Sequence, residues 1–338
     1  MRRQIARGAS EVLGHWMWLV FLLAGALLAP IAQGQPANEP AVARSRAFDV
    51  RTYDDFAFHS SEDVGVNNCS LLSHSAGIRV ENTRYGVFSN LTIHSNRGIG
   101  IFERSGTTAN LSFASIAIET QLLTGHWWGK AEPIFIAVGP PQEVRNIHFL
   151  NVFGEAEAGM VVYGDEKAWI HNLTFEQIRF LIRAPRKKVA ELAGGNFDFR
   201  WTARGMSRAV FQHDIPGLYF RYVDEFQVHG MRLEWNKNLP DYFSDGIEAE
   251  DFRGLTLDRF EGSEAREKSG RAAIVLRRGA GVSVTNSAAL AGTSIFLSLE
   301  NAHDEGLFPG NDLRQAKRAF AAGSGQFQML GNLMPREQ

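Results

Sequence analysis

A single cysteine, Cys69, in 338 residues excludes an internal disulfide framework. Packing must hold the chain together, and Cys69 reads as a small buried apolar residue. An excess of one charge is also lacking: 35 Lys and Arg against 37 Asp and Glu leave a net charge of −2. That balance excludes the basic face a nucleic-acid partner requires. No ordered His, Cys and Asp spacing suits zinc and no glycine loop suits a phosphate, so no metal and no other cofactor is expected. Long apolar runs are nearly absent as well. The exception runs from Trp16 to Ala32, behind Arg2, Arg3 and Arg7 and ahead of Ala32-Gln33-Gly34.

That arrangement is the pattern of a secretory signal peptide with a small-x-small cleavage site. The alternative is an uncleaved anchor, the run being a little short of a full span of ~20 residues. Either way the mature chain is expected outside the inner membrane, secreted or periplasmic, with no membrane contact after cleavage. Residues 1–34 are thus the signal and 35–48 a polar, Pro-containing linker. With 44% hydrophobic residues, including 24 Phe, and with 33 Gly, the remainder can bury a large core.

What the sequence does have is a repeat. NNCSLLS from Asn67, SNLTIHS from Ser89, ANLSFASI from Ala109, RNIHFLNV from Arg145 and HNLTFEQI from His171 each place an Asn before alternating apolar and polar residues. Period-two alternation is strand patterning. A second strand recurs between them: SAGIRV at Ser75, NRGIGIF at Asn96, EPIFIAV at Glu132 and AGMVVYG at Ala158. The rhythm returns in GIEAEDFRGLTLDRFEG from Gly246 and AAIVLRRGAGVSVTNSA from Ala272. Self-similarity at roughly twenty to thirty residues without a helical period indicates a solenoid of strands. The fold class is therefore all-β, a right-handed parallel β-helix of about eight or nine rungs over residues 49–310. Residues 311–338 are expected to cap it: Gly310-Asn311-Asp312 followed by LRQAKRAFAAG reads as a capped helix.

The sequons at Asn68, Asn90, Asn110 and Asn172 follow from the same repeat. Each Asn heads a strand, where its amide can bond the neighbouring rung's backbone.

The block YDDFAF, SAGIRV, SNRGIGIF, IAIET and GHWWGKAEPIFI resembles the C-terminal half of glycoside hydrolase family 28 proteins, the polygalacturonases and their relatives. It is most similar to a bacterial subgroup with a Trp-Trp-Gly loop, to which LEWNKNLPDYFSDGIEAEDF is similar too. The resemblance covers about Asp49 to Glu300. It implies inverting hydrolysis of pectin-type polysaccharide by two carboxyl groups ~6.5–9.5 Å apart. The family's acidic pair carries over onto Asp54 and Asp55. Three departures leave the catalytic set incomplete. The family's Gly-His-Gly is replaced by Ser75-Ala76-Gly77-Ile78, with His74 displaced nearby. Its Arg-Ile-Lys is replaced by Gly98-Ile99-Gly100, and the rung that should precede Asp54 is missing.

The loop between Thr120 and Glu132 interrupts the repeat and must project from the rod. Trp127 or Trp128 offers a flat apolar face to a sugar ring, while His126, Lys130 and Glu132 can bond hydroxyls or a carboxylate. Arg97, one rung along from the acidic pair, is a further substrate-binding candidate; His59 and Arg79 are weaker ones. Glu119 reads as a corner residue rather than an acid catalyst. The expected partner is a polysaccharide substrate. The first rung, around Ala57 and Phe58, lacks covering coils, so self-association through it is also expected. Two other functions stay open: a non-catalytic polysaccharide-binding β-helix, and a polysaccharide lyase, which would want a carboxylate cluster for calcium that is not apparent in the sequence.

Overall fold

In the computed structural model the described residues are 46–49, 55–103, 106–122, 130–186, 196–198, 210–266, 271–300, 306–321 and 327–335. Residues 45–338 form one compact unit. Residues 1–34, read as a signal, and most of the stretch read as linker lie outside the described residues, and the first strand starts at Arg46, inside that stretch.

The strands stack in parallel into a β-helix with three faces. Face 1 is a ladder of ten strands: β2 (Asp55–His59), β4 (Ala76–Glu81), β6 (Arg97–Glu103), β8 (Ile134–Val138), β10 (Met160–Tyr163), the starts of β14 (Leu218–His229) and β16 (Ile247–Asp258), β18 (Ile274–Arg277), β21 (Ile295–Glu300) and β23 (Arg318–Phe320). Faces 2 and 3 are the two halves of longer strands: β3 (Glu62–Leu72), β5 (Arg84–Ser95), β7 (Thr107–Thr120), β9 (Glu143–Ala156) and β11 (Ile170–Ile182). Face 2 continues through β14, β16, β19 (Ala280–Thr285), β22 (Gly306–Pro309) and β24 (Phe327–Leu330). Face 3 opens with β1 (Arg46–Asp49) against β3 and continues through β15 (Arg232–Trp235), β17 (Glu261–Gly262) and β20 (Ala288–Ala289).

Left-handed residues make the corners. Asp63, Tyr85, Asn110, Asn146, Asn172, Glu225, Gly254 and Gly281 have φ between 48° and 71° and stand above one another. Five positions later on each rung stand Asn68, Asn90, Ser115, Asn151, Gln177, Gly230, Arg259 and Asn286, also at positive φ. Asn and Gly are the residues that tolerate this conformation, so their recurrence in the sequence is a corner signal. The Asn amides stack side chain to side chain rather than on the neighbouring backbone: Asn146 Nδ2 donates to Asn110 Oδ1 at 2.8 Å and Asn172 Nδ2 to Asn146 Oδ1 at 2.9 Å.

One inward column explains the phenylalanine content. Phe88, Phe113 and Phe149 stack with centroids 4.7 and 4.8 Å apart, then Phe175 and Phe226 continue edge-on. The spacing is that of the rungs themselves. Cys69 is half-buried at the margin of this core, its thiol donating to the Asn67 carbonyl.

The expected C-terminal capping helix is not there; no helix occurs among the described residues. Leu313, Ala316 and Ala319 recur at the helical spacing of three, yet they face the core from a turn and from β23. Asn311 is buried, accepts the Ser287 N–H and donates to the Val284 carbonyl, which ties the segment on as one more coil.

A hairpin of β12 (Asn196–Asp198) and β13 (Val210–Gln212) is inserted between β11 and β14. Its Phe197 and Phe211 pack with Phe102, Phe135, Val161, Tyr163 and Tyr219, which all project from face 1. The hairpin thereby covers the middle of that face and leaves β16, β18 and β21 beyond its edge.

Candidate functional site

At that edge the outward residues of face 1 change from aromatic to charged. On β16, Glu248 and Glu250 stand two apart and so point the same way. Register places Glu250 beside Arg221 of β14 and Arg277 of β18, and Arg277 beside Glu300 of β21. Buried Glu248 takes hydrogen bonds on Oε1 from Arg277 and from His213 Nε2, the latter at 3.1 Å, while its Oε2 accepts none from the described residues. Burial pushes this carboxyl up, but His213 and Arg277 outweigh it and hold Glu248 below its ordinary range. Burial in turn pushes His213 down, and the bond to Glu248 raises it above its ordinary value. The ring is clamped by stacking on Phe197, centroids 5.1 Å apart.

Asp245 lies three residues before Glu248, in the turn that enters β16, and is fully buried. Its Oδ1 accepts the Ala272 N–H at 2.8 Å and its Oδ2 the Arg271 guanidinium at 3.1 Å. The other arm of Arg271 grips Asp214, so one cation bridges two carboxyls. Burial dominates at Asp245 and, with Glu248 nearby, pushes it up to about 6. Two carboxyls on one segment are therefore driven apart, Asp245 protonated below about pH 6 and Glu248 still ionised there. Such splitting is how a site acquires an acid and a base from one residue type.

This has a consequence for stability. Asp245 titrates near 6 when folded and near its ordinary value of 3.8 when unfolded, so its contribution is complete below about pH 4 and lost as pH rises through 6. At ~1.4 kcal/mol per unit, up to about 3 kcal/mol is at stake. Urea unfolding at pH 4 and pH 7 should show Asp245→Asn gaining on the wild type by up to that amount between the two. Parallel pH dependences would mean that Asp245 ionises normally.

The residues expected from the sequence are distributed as follows. Asp54, His126, Trp127 and Trp128 lie outside the described residues; Asp55 opens β2, and its side chain is outside them too. The ladder sets Asp55 beside Ala76 and Ala76 beside Arg97, so Arg97 is two rungs from Asp55 rather than one. Arg97 and Glu132 are brought together, but with each other: Nε and NH2 donate to the carboxylate at 3.2 and 3.1 Å, both residues are buried, and the guanidinium lies 3.8 Å over the Phe135 ring. Burial raises Glu132, yet the Arg97 charge and bonds outweigh it and hold it ionised. Lys130 donates its backbone N–H to the same carboxylate. This pair is buried against the Phe135 ring, unlike the substrate-facing Arg97 and Glu132 expected above. His59 and Arg79 both lie against Glu81, at 3.6 and 3.2 Å. Glu119 is bonded by Arg183 and Arg186, and the Arg183 hydrogen bond foremost lowers it to about 2. A group ionised to that point is no proton donor, but it is not a corner residue either: it stands in β7, in the face 3 ladder between His94 and Glu155.

Asp245, Glu248, Glu250, His213 and Arg271 were not singled out in the sequence, although the acidic alternation in SDGIEAEDF was a visible signal. The site also holds the carboxylate cluster that the sequence did not reveal. Ligand atoms of His213, Glu248 and Glu250 fall within 4.8 Å of one another. Arg277 already donates to Glu248 and Arg278 to Glu250 at 2.8 Å, so guanidinium groups stand where a calcium ion's charge would act.

Fold and site together define a parallel β-helix with an acid–base cluster on one outer face. No protein-family model matches the sequence, and no curated protein matches it. Among solved structures, the crystal structure of the pre-mature bacteriophage phi29 gene product 12 is similar at 8% identity and a TM-score of 0.45. The match covers 82% of this chain and 41% of that one. It carries no implication for function.

Proposed function

We propose that this chain is a glycoside hydrolase-like protein that cuts a pectin-type polysaccharide on face 1, outside the inner membrane. The observation that carries the reading is the split pair: Asp245, pushed up to about 6, is the proton donor, and Glu248, held ionised by His213 and Arg277, activates water. Asp55, one of the two family-derived acids, opens the same ladder at β2, and Asp54 lies outside the described residues. Six ladder steps separate β2 from β16, roughly 29 Å at ~4.8 Å per step. One catalytic set cannot span that distance, and the cluster at β16 is preferred because its environment separates the two protonation states.

A second reading, a non-catalytic polysaccharide-binding β-helix, is favoured by one feature: Arg221, Arg277 and Arg278 neutralise the cluster's outer carboxylates. Self-association through β2, the end strand of face 1 among the described residues, also remains a proposal.

Incubation of the purified chain with polysaccharides, followed by reducing-end analysis, tests the reading. The resemblance's acid-gripping Arg, Lys and His are replaced by Gly98, Gly100 and Ala76, each worth roughly 1.5–3 kcal/mol of charge-assisted binding. Two or three such losses amount to about a thousandfold or more. Cleavage of a neutral, methylated or rhamnose-containing glycan is expected, with little release from plain polygalacturonate. Robust release from polygalacturonate would overturn the substrate preference; no release from any glycan would leave binding as the function.

A further inference from the structure

An open groove lies on another side of the coil, along the second corner column. It has a volume of 860 Å³ and runs past Asn151, Gln177, Gly230 and Arg259. Gly230 makes the notch. It is held at φ 69°, and a Cβ built there would come no nearer than 3.9 Å to anything, so this rung lacks the side chain that its neighbours place in the column. On the face 3 side of the groove, successive rungs present Phe153, Arg179, Arg232 and Glu261 in register.

The chemistry of this wall is specific. Phe153 is 43% exposed, an aromatic ring open to solvent on a sheet surface. Arg179 is exposed, and its side chain makes no hydrogen bond or ion pair with the described residues. Arg232 is fixed by Glu234 and Glu261, and Arg259 lies 3.5 Å from Asp258. One arginine is thus held ready, one is braced, and Arg259 closes the other side. The rungs repeat every ~4.8 Å, close to the length of one sugar residue in an extended chain, so consecutive sugars meet consecutive rungs. An aromatic platform beside guanidinium groups stacks a sugar ring and pairs an acidic substituent. A nucleic acid would call for a denser array of cations than three arginines facing two glutamates.

We propose that the groove between Phe153, Arg179, Arg232 and Arg259 is a binding subsite for an anionic polysaccharide, separate from the acid–base face. It anchors acid-bearing stretches of a chain by their carboxylate or sulfate groups, with Phe153 under a ring and Arg179 on the anion. The inference does not require that face 1 be catalytic.

Calorimetry on the full chain tests it with four probes: an oligogalacturonate, its methyl ester, a heparin fragment and a single-stranded DNA oligonucleotide. At least one of the two anionic glycans should bind, more weakly as salt rises, while any binding of the uncharged methyl ester on face 1 should be untouched by Arg179→Ala. Which of the two binds identifies the anion as carboxylate or sulfate. Arg179→Ala should weaken binding at least about tenfold, Arg179→Lys less, and Phe153→Ala should weaken it too. Both residues are exposed, so the melting temperature should stay near that of the wild type. The proposal is overturned if neither anionic glycan binds, if Arg179→Ala and Phe153→Ala bind unchanged, or if DNA binds equally tightly through the same two residues.

Discussion

Gly159→Ala is expected to leave little folded protein, with a loss of more than about 4 kcal/mol. Gly159 precedes β10, and a Cβ there would sit 1.8 Å from the Pro216 carbonyl oxygen and 2.9 Å from that of Gly217. Both atoms are backbone of the next coil, so no rotamer change relieves the contact and the rungs must separate. Their separation would strain the ladder between β10 and β14 and open the stacked core beneath it. The same geometry recurs where a Cβ on Gly98 would approach the Pro133 carbonyl oxygen to 2.3 Å, and one on Gly246 that of Ala273 to 2.5 Å. The chain turns onto face 1 at these positions with the missing side chain aimed along the axis. Gly65→Ala is the control: it is exposed in mid-strand with nothing within 4 Å, so its effect should stay within about 0.5 kcal/mol. Equal melting temperatures for the Gly159 and Gly65 variants would mean that the coils are looser than described.

Asp245→Asn is expected to lower kcat by about 10²–10⁴-fold on whatever glycan the wild type cleaves, the usual worth of one acid–base group. The substitution preserves shape and keeps a carbonyl oxygen for the Ala272 N–H, so the fold should survive. What it removes is the proton that leaves near pH 6. Asp55→Asn should by contrast change kcat by less than about tenfold, because β2 lies six ladder steps away. The reverse outcome, with Asp55 essential and Asp245 dispensable, would move the chemistry to the N-terminal end of face 1.

Much of this fold is legible in the sequence because its corners are made by residue type. SAGIRV and NRGIGIF align as they stand, Ile78 on Ile99, and so do EPIFIAV and AGMVVYG, Phe135 on Val161; between the two pairs the register slips by one, since Ile99 meets Ile134. The Asn-headed strands align less well. Placing Asn90 over Asn110 slips the register by five, since Leu91 pairs with Ile116 and Gly86 with Leu111. Each rung has two left-handed corners five residues apart, and an Asn suits either. The helix read into Gly310-Asn311-Asp312 and LRQAKRAFAAG failed for a related reason: Leu313, Ala316 and Ala319 keep a spacing of three, which also arises when a turn and a strand both face a core. The site was less legible. Arg97 and Glu132 carry the right chemistry for substrate, but 35 residues separate them and only the coil shows that each is the other's partner. His213 joins Glu248 across the same number of residues from an inserted hairpin, which no repeat predicts. The acidic run after Ser244 was visible; its meaning depends on burial, which sequence alternation does not supply at a turn.

The central claim is that two neighbouring carboxyls, Asp245 at the entry to β16 and Glu248 on it, hold different protonation states just below pH 6. Carbon-13 titration of the side-chain carboxyls, with Asp245→Asn and Glu248→Gln used for assignment, tests it most directly. The account predicts that Asp245 titrates near 6 while Glu248 stays ionised to below 4.5, its ordinary value. Asp245 titrating near 3.8, or both groups moving together, would contradict it.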